Sequence, residues 1–187
     1  MANHISSLSE NDEKKLESLW NSCSKSDYFV NDDISTTVEL YHATTIENRE
    51  SILACGEFWV PSRKYAIENG LKLGAAVYFG TNSAYCLREA KNKEENKGKQ
   101  LVLVKVLASF GRCLDLGRYD AGNNLSFRDW EWMTERLSIV ESERFGFDSL
   151  CINKNMPWFE IAIYNPTKQI KRISSFDKMS TQRCHIF

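Results

Sequence analysis

Proline is nearly missing from this 187-residue chain, with three residues, and glycine, with nine, is sparse. Collagen-like and low-complexity organisation is thereby excluded. The six cysteines, at 23, 55, 86, 113, 151 and 184, form no C-x-x-C and no zinc-site spacing with histidine. Long apolar runs are missing as well. The longest, Leu101 to Leu107, is interrupted by Lys105 and is far too short to span a bilayer. The N-terminus, MANHISSLSENDEKK, has no apolar core and does not read as a secretory signal. Reduced thiols in a cytoplasmic or nuclear protein are the plain expectation. An excess of one charge is also lacking: 24 lysines and arginines stand against 25 acidic residues. That balance creates no field for a polyanion, so neither duplex nucleic acid nor an anionic membrane surface is implied. No G-x-G-x-x-G, P-loop, G-x-S-x-G or H-E-x-x-H occurs. A nucleotide ligand is therefore not held by a Rossmann glycine turn, and no metal is expected.

What is present suffices for a core. Hydrophobic residues make up 42% of the chain and aromatics 12%, which at this length fits one folded domain. Residues 1–36 read as an N-terminal helical and loop appendage, 37–175 as the domain, and 176–187 as a C-terminal tail. In the appendage, Ser9 is placed to cap a helix carrying Leu16, Leu19 and Trp20 on one face. TVELYHA reads as a strand, followed by a helix that Gly56 stops. AAVYFGTN is a second strand and SAYCLREAKNK a helix beginning after Asn82. KNKEENKGKQ reads as a solvated charged connection, and QLVLVKVLAS as an interior strand. The spacing predicts one helix over 126–143, capped by Ser126 with Asp129, with Phe127, Trp130, Leu137 and Val140 along one face. FDSLCIN and FEIAIYNP are two more strands. Strands and helices mix without βα regularity, so the fold class is α+β.

Three strand-borne elements carry possible chemistry: LYHATT with His42, GAAVYFGTNSAY with Tyr78 and Tyr85, and FEIAIYNP with Glu160. Taken alone, His42 is a core histidine, the tyrosines are packing residues, and Glu160 is a solvent-facing edge residue. Taken together and in this order, the chain resembles the catalytic domain of the poly(ADP-ribose) polymerase-like, or diphtheria-toxin-like, ADP-ribosyltransferases of the H-Y-E class. GFDSLCI ahead of FEIAIYNPTKQI is similar to the stretch that precedes the family's glutamate strand. The resemblance runs from about residue 37 to 173, and the compact size is similar to that of small single-domain interferon-inducible members.

The resemblance implies two packed, mainly antiparallel sheets forming an NAD cleft with flanking helices. It implies Glu160, His42 and Tyr78 as the catalytic set. Glu160 would accept a hydrogen bond from the nicotinamide-ribose 2′-hydroxyl, placing electron density beside a cationic transition state. His42 would hold the adenosine-side ribose. Tyr78 and Tyr85 would sandwich the nicotinamide ring. Ala43, Thr44 and Ser83 complete the implied NAD contacts, with Ser83 at the carboxamide. Two alanines, Ala43 and Ala76, stand where the family has glycine; the Cβ of Ala43 narrows the approach to the carboxamide and disfavours positive φ.

The implied activity is mono-ADP-ribosylation: transfer of ADP-ribose from NAD, as co-substrate, to a protein acceptor, the chain itself included. The length does not accommodate the helical domain that accompanies chain-building members. Ala43, Ala76 and a shortened loop before Ser83 motivate an alternative, a silent NAD- or ADP-ribose-binding module. Transfer to nucleic acid is a further alternative, requiring a basic face near the cleft. The terminal CHIF superficially fits a C-a-a-X lipidation pattern at Cys184.

Overall fold

The alternation of Val102, Val104 and Val106 with Leu101, Leu103 and Lys105 builds a long interior strand, β4 (Leu101–Ala108), one place in from the edge of the sheet. The structure, a computed structural model, describes residues 8–30, 37–93, 96–117, 124–152 and 159–176. The expectations for Cys184 and for residues 177–187 of the C-terminal tail lie outside these.

On one side of β4 lies β2 (Val38–Thr45), paired antiparallel along its whole length, and on the other β8 (Ile170–Phe176). The remaining strands are β1 (Ser26–Val30), β3 (Val77–Gly80), β5 (Arg112–Asp115), β6 (Ser149–Ile152) and β7 (Glu160–Ile163). Together they give one mixed eight-stranded sheet in the order β1-β5-β6-β7-β3-β2-β4-β8. The molecule is α+β, and every described strand pair is antiparallel except β5 with β6.

The expectation of two separate sheets is corrected to one hydrogen-bonded sheet with a narrow junction. β2 and β3 share a single register pair, Tyr41 with Gly80. Both halves contribute to one apolar cluster. Leu40, Val104 and Val106 from one side meet Val77, Phe79, Ile161 and Ile163 from the other.

The opposite face is covered by helices. α1 (Glu10–Ser22) is capped by Ser9, and α5 (Phe127–Thr134) by Ser126, as their sequences require. Leu16 and Trp20 of α1 are buried with Trp130, Met133, Leu150, Ala162 and Tyr164. Trp20 stacks on Phe145 and Phe147 at 4.8 and 5.0 Å. The segment expected as an appendage packs α1 on this cluster through Leu16 and Trp20, and β1 is the edge strand beside β5.

The single helix expected over 126–143 is two: α5 and α6 (Ile139–Phe145). The break is held from a distance. Buried Arg63, in α3 (Arg63–Glu68), donates from Nε to the Arg136 carbonyl at 2.9 Å. Its Nη2 reaches the Ser138 hydroxyl at 3.0 Å and both Glu141 oxygens at 2.6 and 2.7 Å. The Ala75 amide donates to the Leu137 carbonyl at 2.8 Å. These partners replace the helical bonds that a continuous helix would need. The break also turns the supposed apolar face: Trp130 and Leu137 are buried, but Phe127 and Val140 are exposed. α2 (Ile46–Cys55) ends at Gly56 in the left-handed conformation, and α4 (Ser83–Asn92) begins after Asn82, both as expected. The short α7 (Pro166–Gln169) leads into β8.

Candidate functional site

Strand register decides which side chains can meet. Tyr78 pairs with Ala162, Gly80 with Glu160 and Gly80 with Tyr41. Cross-strand partners share a face, so Tyr41, Ala43, Tyr78, Gly80 and Glu160 lie on one side of the junction. α4 packs over that side because Gly80 has no side chain: a Cβ there would meet Cys86 Sγ at 2.5 Å. Cys86 Sγ donates to the Tyr41 carbonyl at 3.4 Å. α4 then presents Tyr85, Glu89 and Lys93 at i, i+4 and i+8, one stripe of a helix. The result is a small pocket of about 80 Å³ in which His42, Ala43, Tyr78, Tyr85 and Glu160 converge.

His42 belongs to the other face by alternation, between Phe58 and Phe79 at centroid distances of 5.4 and 5.7 Å. Its imidazole reaches across the junction, where Nδ1 lies 2.8 Å from the Tyr78 carbonyl oxygen. A carbonyl only accepts, so Nδ1 donates and Nε2 is left as an acceptor. Burial lowers the His42 pKa below its ordinary 6.5, against the bond to Tyr78, which raises it; Lys93 adds to the lowering. The ring is neutral at neutral pH.

Tyr78 is fixed through its hydroxyl, which accepts from the Leu73 amide at 2.8 Å and donates to the Gly74 carbonyl at 3.0 Å. Tyr164 donates to the Leu73 carbonyl at 2.5 Å and holds the same segment. Only the Tyr78 ring therefore remains for a ligand. Glu160 is half-buried, and burial raises its carboxyl above the ordinary range while Lys93 and Lys72 pull it down. Burial, with the Glu160 and Glu89 charges, pushes the Tyr85 phenol up to about 12.

A second, larger cleft of about 790 Å³ adjoins the first. His42, Tyr78 and Lys93 line both. Thr44 lines the larger cleft, with Asn48 of α2, Trp59 and Tyr65. Ser83 lines neither cavity; it opens α4 beside the capping Asn82, whose side chain accepts from the Tyr85 amide at 3.0 Å. Ala43 is an ordinary strand residue opposite Leu103, so the positive φ that alanine disfavours is not required there. Its Cβ does face the small pocket. Ala76, immediately before β3, is buried and lines the larger cleft.

Two residues of the site escaped sequence reasoning. Lys93 sits in the run read as a solvated connection, and Glu89 is one turn before it. The signal for both was the four-residue spacing from Tyr85. Among the described residues no disulfide joins any two cysteines, and no helix is long and apolar enough to cross a membrane. Compared with protein families and with curated proteins, the chain matches none.

Proposed function

We propose that the chain is a mono-ADP-ribosyltransferase of the poly(ADP-ribose) polymerase-like fold, transferring ADP-ribose from NAD to a protein acceptor and releasing nicotinamide. The observation that carries this reading is the convergence of His42, Ala43, Tyr78, Tyr85 and Glu160 on one pocket beside a cleft of about 790 Å³. The donor set suits NAD. Two aromatic side chains flank a space for a flat ring, a neutral imidazole offers an acceptor for a ribose hydroxyl, and the cleft lies in the size range of ligand sites. In the reaction the ribose C1′–nitrogen bond breaks with its electron pair leaving on nicotinamide, and the acceptor lone pair forms the new bond to C1′. Glu160, as a carboxylate, accepts from the 2′-hydroxyl and stabilises the positive charge that develops on the ribose. Tyr78 and Tyr85 orient the leaving ring.

A second reading, an NAD- or ADP-ribose-binding module without turnover, is favoured by the small size of the inner pocket, about 80 Å³, with the Ala43 side chain on its wall. Incubation of the wild type with isotope-labelled NAD, followed by intact-mass spectrometry and assay of free nicotinamide, separates the two. Labelling that disappears in Glu160→Gln supports transfer. A wild type that neither acquires label nor releases nicotinamide beside an active control overturns it, and calorimetry with NAD then decides for or against the binding module.

A further inference from the structure

Among the described residues, the linings of the two cavities include two lysine or arginine side chains, Arg63 and Lys93. Arg63 is not available to a ligand. Its guanidinium is buried, held by both Glu141 oxygens at 2.6 and 2.7 Å and by the Arg136 carbonyl at 2.9 Å. Lys93 is different. It is exposed at the C-terminal end of α4, its backbone amide donates to the Ala90 carbonyl, and its side chain lines both cavities. The helix face that brings Tyr85 and Glu89 to the small pocket carries Lys93 to the point where the larger cleft begins. His42 and Tyr78 share that position.

From this juxtaposition we propose that Lys93 is the anion-binding residue of the site, set between the two cavities to take the diphosphate that joins the two halves of a dinucleotide. The inference rests on the reading of NAD as co-substrate and deepens it. A dinucleotide with its nicotinamide ring against Tyr78 and Tyr85 and its adenosine in the larger cleft carries its two phosphate charges through the neck between them. Lys93 supplies an ammonium there with three rotatable donors, a geometry suited to a phosphate oxygen approached from solvent. Lys93 also opposes the charge of Glu160, so one cation faces the diphosphate on one side and the catalytic carboxylate on the other. It binds and positions; no proton is exchanged through it.

Calorimetry on the full chain with NAD, ADP-ribose and nicotinamide tests the assignment. Lys93→Met is expected to weaken NAD and ADP-ribose binding roughly tenfold to a hundredfold, the effect of losing a charge-assisted hydrogen bond. Nicotinamide, which has no phosphate, should bind Lys93→Met as it binds the wild type. Lys93→Arg, which keeps the charge, should retain most of the affinity, and the salt dependence of NAD binding should flatten in Lys93→Met alone. Unchanged melting temperatures are the control for folding, since the side chain is exposed. A wild type that binds NAD no better than Lys93→Met does overturns the role of Lys93 and leaves the functional reading standing. Equal losses for nicotinamide and ADP-ribose overturn the diphosphate assignment. A wild type that binds none of the three ligands overturns both.

Discussion

His42 Nδ1 lies 2.8 Å from the carbonyl oxygen of Tyr78, tying β2 to β3 beside their single strand pair, Tyr41 with Gly80. The two strands diverge there, and a side chain takes over the bridging that the backbone ladder no longer provides. The same bond fixes the imidazole tautomer and so the acceptor offered at Nε2. Structure and candidate chemistry thus meet in one hydrogen bond.

Removing the imidazole should affect both. His42→Ala leaves the Tyr78 carbonyl without its partner and opens a gap between Phe58 and Phe79, for a loss of about 2–3 kcal/mol. Urea denaturation of the wild type, His42→Ala and His42→Gln checks this, with Gln expected to recover part of the loss through its amide donor. NAD affinity should fall in His42→Ala by about tenfold.

Glu160 should trade stability for function. Its carboxyl is raised above the ordinary 4.5 because burial disfavours the charged form. Below 4.5 the folded and unfolded chains both hold the proton, and Glu160→Gln should melt with the wild type. As pH rises through the raised folded value, the unfolded chain ionises more readily, and the wild type loses stability that the variant keeps. Glu160→Gln is therefore expected to melt higher than the wild type at neutral pH while losing transfer. Equal melting temperatures at neutral pH would sink this account. In the wild type, the acid limb of kcat/KM should lie above the ordinary glutamate range.

Tyr78→Phe separates the ring from the hydroxyl. It removes the acceptor of the Leu73 amide and one of two donors to the Gly74 carbonyl, which keeps the Ala76 amide at 3.0 Å, and should cost about 1–3 kcal/mol by denaturant titration. The ring remains, so NAD affinity should change less in Tyr78→Phe, measured where both variants are folded, than in Tyr78→Ala.

Gly74 and Gly56 share a left-handed backbone, with φ of 76° and 69°, but not the same surroundings. A Cβ at 74 would meet the Leu137 carbonyl oxygen at 2.2 Å, whereas none would be touched within 4 Å at 56. Gly56→Ala is expected to cost about 1 kcal/mol from φ alone. Gly74→Ala should cost roughly 2–4 kcal/mol, because it also displaces the α5–α6 connection. Thermal unfolding of the pair distinguishes strain of the backbone from collision.

The buried Arg63–Glu141 pair makes a sharper contrast. Arg63→Met or Glu141→Leu alone leaves one buried charge, for a loss of about 3–5 kcal/mol; the double variant should recover most of it. A double variant as unstable as the sum of the singles would show that the carbonyl and hydroxyl contacts of Arg63 matter more than its charge.

The sequence determined the strands that carry His42, Tyr78 and Glu160, because apolar alternation and β-branched content are local properties of the chain. It determined the caps at Ser9, Ser126 and Gly56 for the same reason: a cap depends on a side chain three residues from the amides it satisfies, or on one glycine. It did not determine the break between α5 and α6, which Arg63 imposes across more than seventy residues of chain. Nor did it reveal the edge strands β1 and β8, or the short β5 beside β1, whose pairing rather than a local hydrophobic pattern makes them strands. α1 reads as an appendage because its contacts with Phe145 and Phe147 are distant in sequence. Lys93 is the clearest case. In composition it belongs to a solvated run, and only the packing of α4 over Gly80 turns it toward His42 and Glu160, since three-dimensional proximity between charges is set by register and helix phase, which no single residue type encodes.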